Sequence, residues 1–333
     1  MLVTGGAGFI GSHLVERLLV DGHRVAVLDD FNDYYDPSLK QGNLAAVRGQ
    51  IALHRVDLRD AAGVERLVAG GGFEAIVHLA ARAGVRPSIQ DPRLYVETNI
   101  GGTLNLLESA RGAGIGTFVF ASSSSVYGLC PEVPFREDYP LLRTISPYAA
   151  TKLAGEGLCS NYAHLHGMRM ACLRFFTVYG PRQRPDLAIH DFTRRIWRGE
   201  PIRQFGDGST RRDYTFVDDT IQGVVAALSH AHAAPAGFYD VFNLGESATT
   251  PLRDLIWLIE DAVGKRAKIE RLPEQPGDVP LTCASIEKAR RVLGYNPQTP
   301  IREGIPRFVA WFMAQNRPAA VAPRALAHAE VRP

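Results

Sequence analysis

Tyr148 and Lys152 stand four residues apart in Tyr148-Ala149-Ala150-Thr151-Lys152, directly after Ser146-Pro147, a dipeptide suited to the start of a helix. On a helix that spacing places a phenol and an ammonium on one face, one turn apart. A phenol with a pKa near 10 is a poor base at neutral pH, but a nearby cation stabilises the phenolate and draws it toward the working range. The chemistry on offer is removal of a proton from a hydroxyl. The same spacing is common on surface helices, so its meaning depends on what accompanies it.

Thr4-Gly5-Gly6-Ala7-Gly8-Phe9-Ile10-Gly11-Ser12-His13 follows an apolar run and opens a helical one, the context a dinucleotide-binding loop requires. Gly5 permits the tight turn, Gly8 lets the backbone approach a pyrophosphate, and Gly11 lets helix and strand pack closely, with the helix N-terminus facing the negative charge. Asp29 ends the next apolar run 18 residues beyond Gly11, near the roughly 20-residue interval at which an acid takes the adenosine ribose hydroxyls. An acid there repels a 2′-phosphate and favours NAD over NADP; the alternative is a carboxylate that merely caps a strand end. Asp57, in the turn Val56-Asp57-Leu58, is either an adenine contact or a simple turn acid. With a dinucleotide bound, the positive nicotinamide ring joins Lys152 in stabilising a Tyr148 phenolate.

Ala121-Ser122-Ser123-Ser124-Ser125-Val126-Tyr127-Gly128 follows an apolar strand, at the carboxyl edge where open α/β sheets bind ligands. Hydroxyls there can donate to and accept from a sugar, or can form only a polar loop.

The elements that must hold these groups alternate. Short apolar runs at Met1 to Thr4, Arg24 to Asp29, Ile51 to Val56 and Ala75 to Ala80 alternate with amphipathic stretches such as Ile10 to Asp21, a βαβ rhythm that demands a parallel sheet with helices on both faces. Thr117 to Ala121 and Met170 to Phe176 continue it, preceded by helical periods at Asn99 to Gly112 and Tyr148 to His166. Tyr239 to Leu244 makes a seventh strand, and Asp218 to His230 and Leu252 to Val263 two further helices. The fold class is therefore α/β: a doubly wound parallel sheet of Rossmann type with a smaller interleaved α/β substrate domain. Residues 1–176 form the cofactor domain, with 213–250 returning to it; 177–212 and 251–316 form the substrate domain. The Ala- and Pro-rich stretch from Arg317 to Pro333 is expected to be a disordered tail.

Composition sets outer limits. With 46% apolar and 22% charged residues in 333 the chain has ordinary globular usage, and a net charge of +2 gives no broad basic field for nucleic acid or an anionic membrane. Cys130, Cys159, Cys172 and Cys283 are too scattered for a zinc cluster, so no metal site is expected and free buried thiols fit a reducing, cytoplasmic setting. There is no run of about 20 apolar residues and no basic-then-apolar leader. The first strand begins almost at Met1, which suggests a start one or two residues upstream.

On these residues the chain resembles the extended short-chain dehydrogenase/reductase superfamily, and within it the nucleotide-sugar 4-epimerases, over roughly Leu2 to Ala314. Phe31-Asn32-Asp33-Tyr34-Tyr35-Asp36, Ala83-Gly84-Val85-Arg86, Arg174-Phe175-Phe176-Thr177-Val178-Tyr179-Gly180-Pro181, Arg184-Pro185-Asp186 and Gln275-Pro276-Gly277-Asp278-Val279-Pro280 most resemble UDP-glucuronate 4-epimerases, with UDP-glucose 4-epimerases as the near sibling. The resemblance implies that Tyr148 removes the 4-hydroxyl proton while C4 gives hydride to NAD, that Ser123 hydrogen-bonds the same oxygen, and that Lys152 tunes Tyr148 and holds the nicotinamide ribose. The 4-keto sugar turns over and takes the hydride back on its other face. Asn32, Leu58, Ala80, Ala81, Asn99 and Phe175 join Gly5, Gly8, Phe9, Ile10, Gly11, Asp29 and Asp57 as implied cofactor contacts. Thr177, Arg212 and Asp278 would face the UDP-sugar, with Ser123, Ser124 and Ser125 beside them. A homodimer paired through Asn99 to Gly112 and Tyr148 to His166 is implied as well.

Arg212 suits a diphosphate because a guanidinium forks onto its oxygens, or it pairs with Asp213. Phe205 is a uracil stacker or a core aromatic. A uronate carboxylate must be paired when it leaves water; Arg184 is the expected partner, with Arg86 second, although Arg184 could also bind diphosphate or join a solvated cluster with Arg182. Related dehydratases and decarboxylases place acids before Val-Tyr-Gly, where this chain has Ser124 and Ser125, so elimination and decarboxylation are not expected. Where uronate enzymes often carry Trp-Gly, this chain has Arg182-Gln183. The expected activity is C4 epimerisation of UDP-glucuronate to UDP-galacturonate; the alternatives are UDP-glucose/UDP-galactose epimerisation and an NAD-binding regulatory or scaffold role.

Overall fold

The computed structural model describes residues 1–141, 143–274 and 279–316, so the predicted tail and Asp278 lie outside the described residues. In chain order, β1 (Leu2–Thr4), α1 (Phe9–Val20), β2 (Val25–Leu28), α2 (Pro37–Asn43), β3 (Ile51–His54), α3 (Ala61–Gly70) and β4 (Ala75–His78) come first. Two short helices, α4 (Val85–Gln90) and α5 (Pro92–Tyr95), lead through a π-helical turn at Val96–Gly101 into α6 (Gly102–Gly112), β5 (Thr117–Ser123), α7 (Pro147–His166) and β6 (Arg169–Phe175). After them come β7 (Thr177–Tyr179), α8 (Ala188–Arg198), β8 (Pro201–Phe205), β9 (Arg211–Phe216), α9 (Val217–Ala233) and β10 (Tyr239–Leu244). β11 (Thr249–Pro251), α10 (Leu252–Val263), β12 (Lys268–Leu272), α11 (Glu287–Leu293) and α12 (Ile301–Gln315) complete the described chain.

Seven strands pair in the order β10-β6-β5-β4-β1-β2-β3, every pair parallel. Because side chains alternate across a strand, adjacent residues feed opposite layers. Val3, Val27, Val77, Val119 and Phe242 enter one core, and Leu2, Ala26, Ile76, Phe118 and Val241 the other. Both faces are therefore apolar and helix-covered, as a parallel sheet requires. Strand order reverses at β1, between β2 and β4, which opens a crevice at the carboxyl ends of β1 and β4.

Two smaller sheets stand beside it: β11-β9-β7, and the parallel pair β12-β8. β9 spans residue 213 and pairs with β7 and β11, so the chain rejoins the large sheet through α9 and β10. α8 and α12 fill the stretches on either side; α8 buries Ile189, His190, Phe192, Thr193 and Ile196 on one face. Among the described residues no helix is long and apolar enough to cross a membrane.

Candidate active site

The glycine loop turns from β1 into α1 with Gly5 at φ +67°, a conformation glycine adopts without strain. A Cβ on Gly11 would lie 2.1 Å from the Gly5 carbonyl oxygen and one on Gly8 3.1 Å from the same atom. Bare backbone is thus required where α1 leaves the strand, and the first-turn N–H groups of α1 face the crevice. The cleft at this point has a volume of about 340 Å³ and is lined by Gly5, Gly8, Phe9, Ile10, Gly11, Asp29, Asn32, Asp57, Leu58, Ala80 and Ala81 along one part and by Ser123, Tyr148, Lys152, Phe175, Thr177 and Arg184 along the other. A volume in this range suits a ligand of cofactor size.

Asp29 is buried at the end of β2 and accepts hydrogen bonds from Ala7 N (3.3 Å) and Phe31 N (2.9 Å). Its other partner is one the sequence did not single out: Lys40, buried on α2, whose Nζ lies 3.1 Å from Asp29 Oδ1 and 3.7 Å from Asp30 Oδ1. At this end of the cleft two carboxylates meet one ammonium. Asp57 lines the cleft, but Arg59 holds its carboxylate at 2.6 Å and depresses its pKa, the arrangement expected of a turn acid.

Asn99 lies behind the cleft wall, within the π-helical turn, where it is buried. Its amide accepts from Arg82 N (2.8 Å) and donates to Arg82 O (2.9 Å) and Thr151 Oγ1 (3.0 Å). It therefore ties the ledge that follows Ala80 and Ala81 to α7. His78 extends the tie. Thr103 Oγ1 donates to Asn99 O (2.6 Å), so it must accept from His78 Nε2–H (2.9 Å), which leaves Nδ1 to accept from Thr4 Oγ1 (2.7 Å). Burial drives this imidazole down to about 3, and the Lys152 charge adds to the effect.

α7 is well defined as a helix. Ser146 caps it by accepting from Ala149 N (3.2 Å), Pro147 occupies the first turn, and Gly167 closes it at φ +68°. Tyr148 and Lys152 consequently fall on one face, with Lys152 Nζ 5.9 Å from the centre of the Tyr148 ring. The ammonium donates to Ala121 O at 2.7 Å. Burial pushes its pKa down to about 8, with Cys159 and Glu156 pulling the other way. Burial raises the Tyr148 phenol, and a hydrogen bond with Ser123 and the field of Arg184 oppose the rise.

The serine run forms the far wall. Ser123 ends β5, and its Oγ accepts from Ser125 N at 3.2 Å. Ser124 and Ser125 turn away from the first cleft into a second cavity, lined also by Val85, Phe135, Thr177, Arg212 and Thr282. The two cavities share Thr177. Arg212 Nη1 donates to Arg211 O (2.9 Å), while the buried Asp213 carboxylate is taken up by the backbone N–H groups of Glu246, Ser247 and Ala284.

Arg184 reaches into the first cleft but is already forked onto Asp186, with Nε to Oδ1 at 3.0 Å and Nη2 to Oδ2 at 2.9 Å, and lies 5.4 Å from the Tyr34 ring centre. Burial works against its charge, and the Asp186 fork outweighs it and holds the guanidinium protonated. Arg86 stacks 4.5 Å from the centre of the Phe205 ring, so the ring proposed for uracil has a guanidinium on it. Arg182 sits at φ +66° and pairs with Glu16 of α1 at 2.6 Å, while His13 contacts Pro181 O at 2.9 Å. The loop bearing Arg184 is thus fastened to the helix whose N-terminus faces the cleft.

Comparison with known proteins places these features in context. Residues 1–245 match the model of the NAD dependent epimerase/dehydratase family. A UDP-glucuronate 4-epimerase from Thermodesulfobacterium geofontis is 41% identical over 314 residues, covering 93% of this chain and 95% of that one. The crystal structure of a Bacillus cereus UDP-glucuronic acid 4-epimerase in complex with UDP-glucuronic acid and NAD superposes with a TM-score of 0.87 at 35% identity, covering 94% and 99% of the two chains. A Thermus thermophilus UDP-glucose 4-epimerase in complex with NAD gives a TM-score of 0.84 at 36% identity, covering 93% and 98%.

Proposed function

This chain belongs to the NAD-dependent epimerase/dehydratase family, and on that premise we propose that it interconverts UDP-glucuronate and UDP-galacturonate by oxidising and re-reducing C4. Bound NAD supplies the acceptor and donor of the C4 hydride. Tyr148 takes the 4-hydroxyl proton and later returns it, with Ser123 beside it in the cleft to hold the same oxygen. Lys152 keeps a positive charge beside the ring as the phenolate forms. The gap between the oxidised and reduced sugar is bridged by rotation of the 4-ketone within the space that Thr177 shares between the two cavities.

The observation that carries this reading is a wall without a carboxyl group. Ser124 and Ser125 supply hydroxyls where related dehydratases and decarboxylases place acids, so that wall offers the ketone no carboxyl partner for elimination or decarboxylation. Ser124, Ser125 and Thr177 give a uronate carboxylate neutral donors, Arg184 gives it charge, and Arg212 faces the diphosphate. Incubation with UDP-glucuronate followed by proton NMR tests the reading: a second C4 epimer is expected, and its absence alongside turnover of UDP-glucose would overturn the choice of sugar.

One observation favours UDP-glucose and UDP-galactose as a second reading. Asp186 already offsets the Arg184 charge, which lowers the attraction for an anionic sugar and leaves a site that tolerates a neutral one.

The assembly we propose is a homodimer. Leu104 on α6 and Leu165 on α7 are exposed apolar residues on the helices the family resemblance pairs, and Ile89 on α4 and Val96 in the π-helical turn are exposed on neighbouring segments. Leu104→Glu is expected to shift the sedimentation coefficient to that of a monomer. The four cysteines are free thiols, in keeping with a reducing, cytoplasmic setting.

A further inference from the structure

Tyr148, Lys152 and Glu156 form one stripe along α7, each four residues after the last. Three consecutive residues at the end of β5 meet that stripe. Ser123 lines the cleft beside Tyr148, Lys152 Nζ donates to Ala121 O at 2.7 Å, and Ser122 Oγ donates to Glu156 Oε1 at 2.5 Å. The first two contacts belong to the redox pair. The third is used by no step above.

Glu156 is also bound from a third element. Arg174 on β6 stands directly opposite Ser122 in the sheet register, and its guanidinium forks onto Glu156, with Nε to Oε1 at 2.9 Å and Nη2 to Oε2 at 2.8 Å; both side chains are 4% exposed. The remaining arm, Nη1, donates to Tyr127 Oη (2.9 Å), which donates to Asn243 Oδ1 (2.7 Å) on β10, the residue opposite Arg174 on its other side. Tyr127 closes the turn that contains Ser124 and Ser125. One buried ion pair therefore grips the catalytic helix, the strand bearing Ser123, and the turn bearing the rest of the serine run.

A buried pair of this kind is weak evidence for stability, because desolvating two charges can cost as much as their attraction returns. Its value must be sought in position and field. We propose that Glu156, held by Arg174, is a positioning residue for the redox step: it sets Ser123 against Tyr148 and balances the charge around Lys152. The proposal rests on Tyr148 and Lys152 being the redox pair. The ionisable groups facing Glu156 are Arg174 and Cys172 on β6, Lys152 and Cys159 on α7, and Tyr239 on β10. Among these Arg174 keeps its charge throughout, so neutralising Glu156 leaves that guanidinium behind Ser122 and Ser123 without its counter-ion.

The test uses the NAD-loaded protein. Tyr148 ionisation is followed by tyrosinate difference absorbance against Tyr148→Phe, a readout that needs no sugar. Glu156→Gln, nearly isosteric, is expected to lower the Tyr148 midpoint by about one pH unit and to reduce kcat with UDP-glucuronate by about tenfold, with KM within about twofold. The charge-balanced variant Glu156→Gln/Arg174→Met is expected to restore the midpoint but not kcat, because the grip on Ser122 and Tyr127 is still broken. The apolar pair Glu156→Leu/Arg174→Met is expected to fold, retain NAD and show the same kcat loss. An unshifted midpoint in Glu156→Gln, or full kcat in the apolar pair, would overturn the proposal. Failure of every variant to fold would make the pair a stability element and overturn it too. Wild-type protein inactive on UDP-glucuronate would sink the functional reading alone, since the titration would still report on Glu156.

Discussion

Arg184 meets Asp186 through two parallel hydrogen bonds that use the Nε edge of its guanidinium. Nη1 takes no part in that fork, and Arg184 lines the same cleft as Tyr148. A guanidinium can fork onto a carboxylate along either edge, so the pairing with Asp186 orients Arg184 for a second anion even as it offsets its charge. Arg184→Ala is expected to reduce kcat/KM for UDP-glucuronate by about tenfold to a hundredfold, the range of a lost charged hydrogen bond, and to leave UDP-glucose turnover within about threefold. Equal losses on both sugars, measured by coupled assay, would remove Arg184 from carboxylate recognition.

Tyr148→Phe keeps the ring that packs edge-on to Tyr95 and removes only the hydroxyl. We expect kcat to fall by about a thousandfold or more, within or beyond the span attributed to positioned acid–base groups, while NAD measured in the denatured supernatant stays at the wild-type ratio. A variant that epimerises at wild-type speed would require another base.

The alkaline side of the pH profile is expected to follow Lys152. Burial lowers its pKa to about 8, so the ammonium loses its proton as pH rises through that value and with it the charge that supports the Tyr148 phenolate. kcat/KM is expected to decline above about pH 8 in the wild type. Lys152→Arg keeps a charge at all these values and, at lower overall activity, should show no decline there. Matching alkaline limbs in the two proteins would assign the limb to another group.

Gly11→Ala puts a methyl 2.1 Å from the Gly5 carbonyl oxygen, and the obstacle is backbone, not a movable side chain. α1 has to lift off the strand. Chemical denaturation should show a loss of about 1–3 kcal/mol, the usual cost of overpacking, with a larger fractional loss of NAD binding than of helicity by circular dichroism.

The parallel sheet was legible because apolar runs of four to seven residues recur between helical periods, and the glycine loop and Tyr148-Lys152 pair because their spacings are local. α8 was less plain: Ile189, Phe192 and Ile196 keep a helical period, but five arginines between 182 and 198 make the stretch read as irregular surface. β8 and β12 pair in parallel although more than sixty residues separate them, and nothing in either segment names its partner. The same holds for side chains. Lys40, Asp186 and Glu156 look like solvent-facing charges in sequence; each acquires its role from a residue on another element or around a turn, namely Asp29, Arg184 and Arg174. Phe205 shows the reverse, a ring legible as an aromatic platform whose face is taken by Arg86.

β6 ends at Phe175 in the large sheet and β7 begins at Thr177 in the small one, so a single residue, Phe176, separates the two sheets. Phe176 is buried in the same core as Tyr127, Phe135 and Val178, which makes this junction a stiff splice and a poor hinge. The floor of the vessel cannot open like a clamshell about that point. A sugar that must present both faces of C4 to one fixed surface therefore has to do the turning itself.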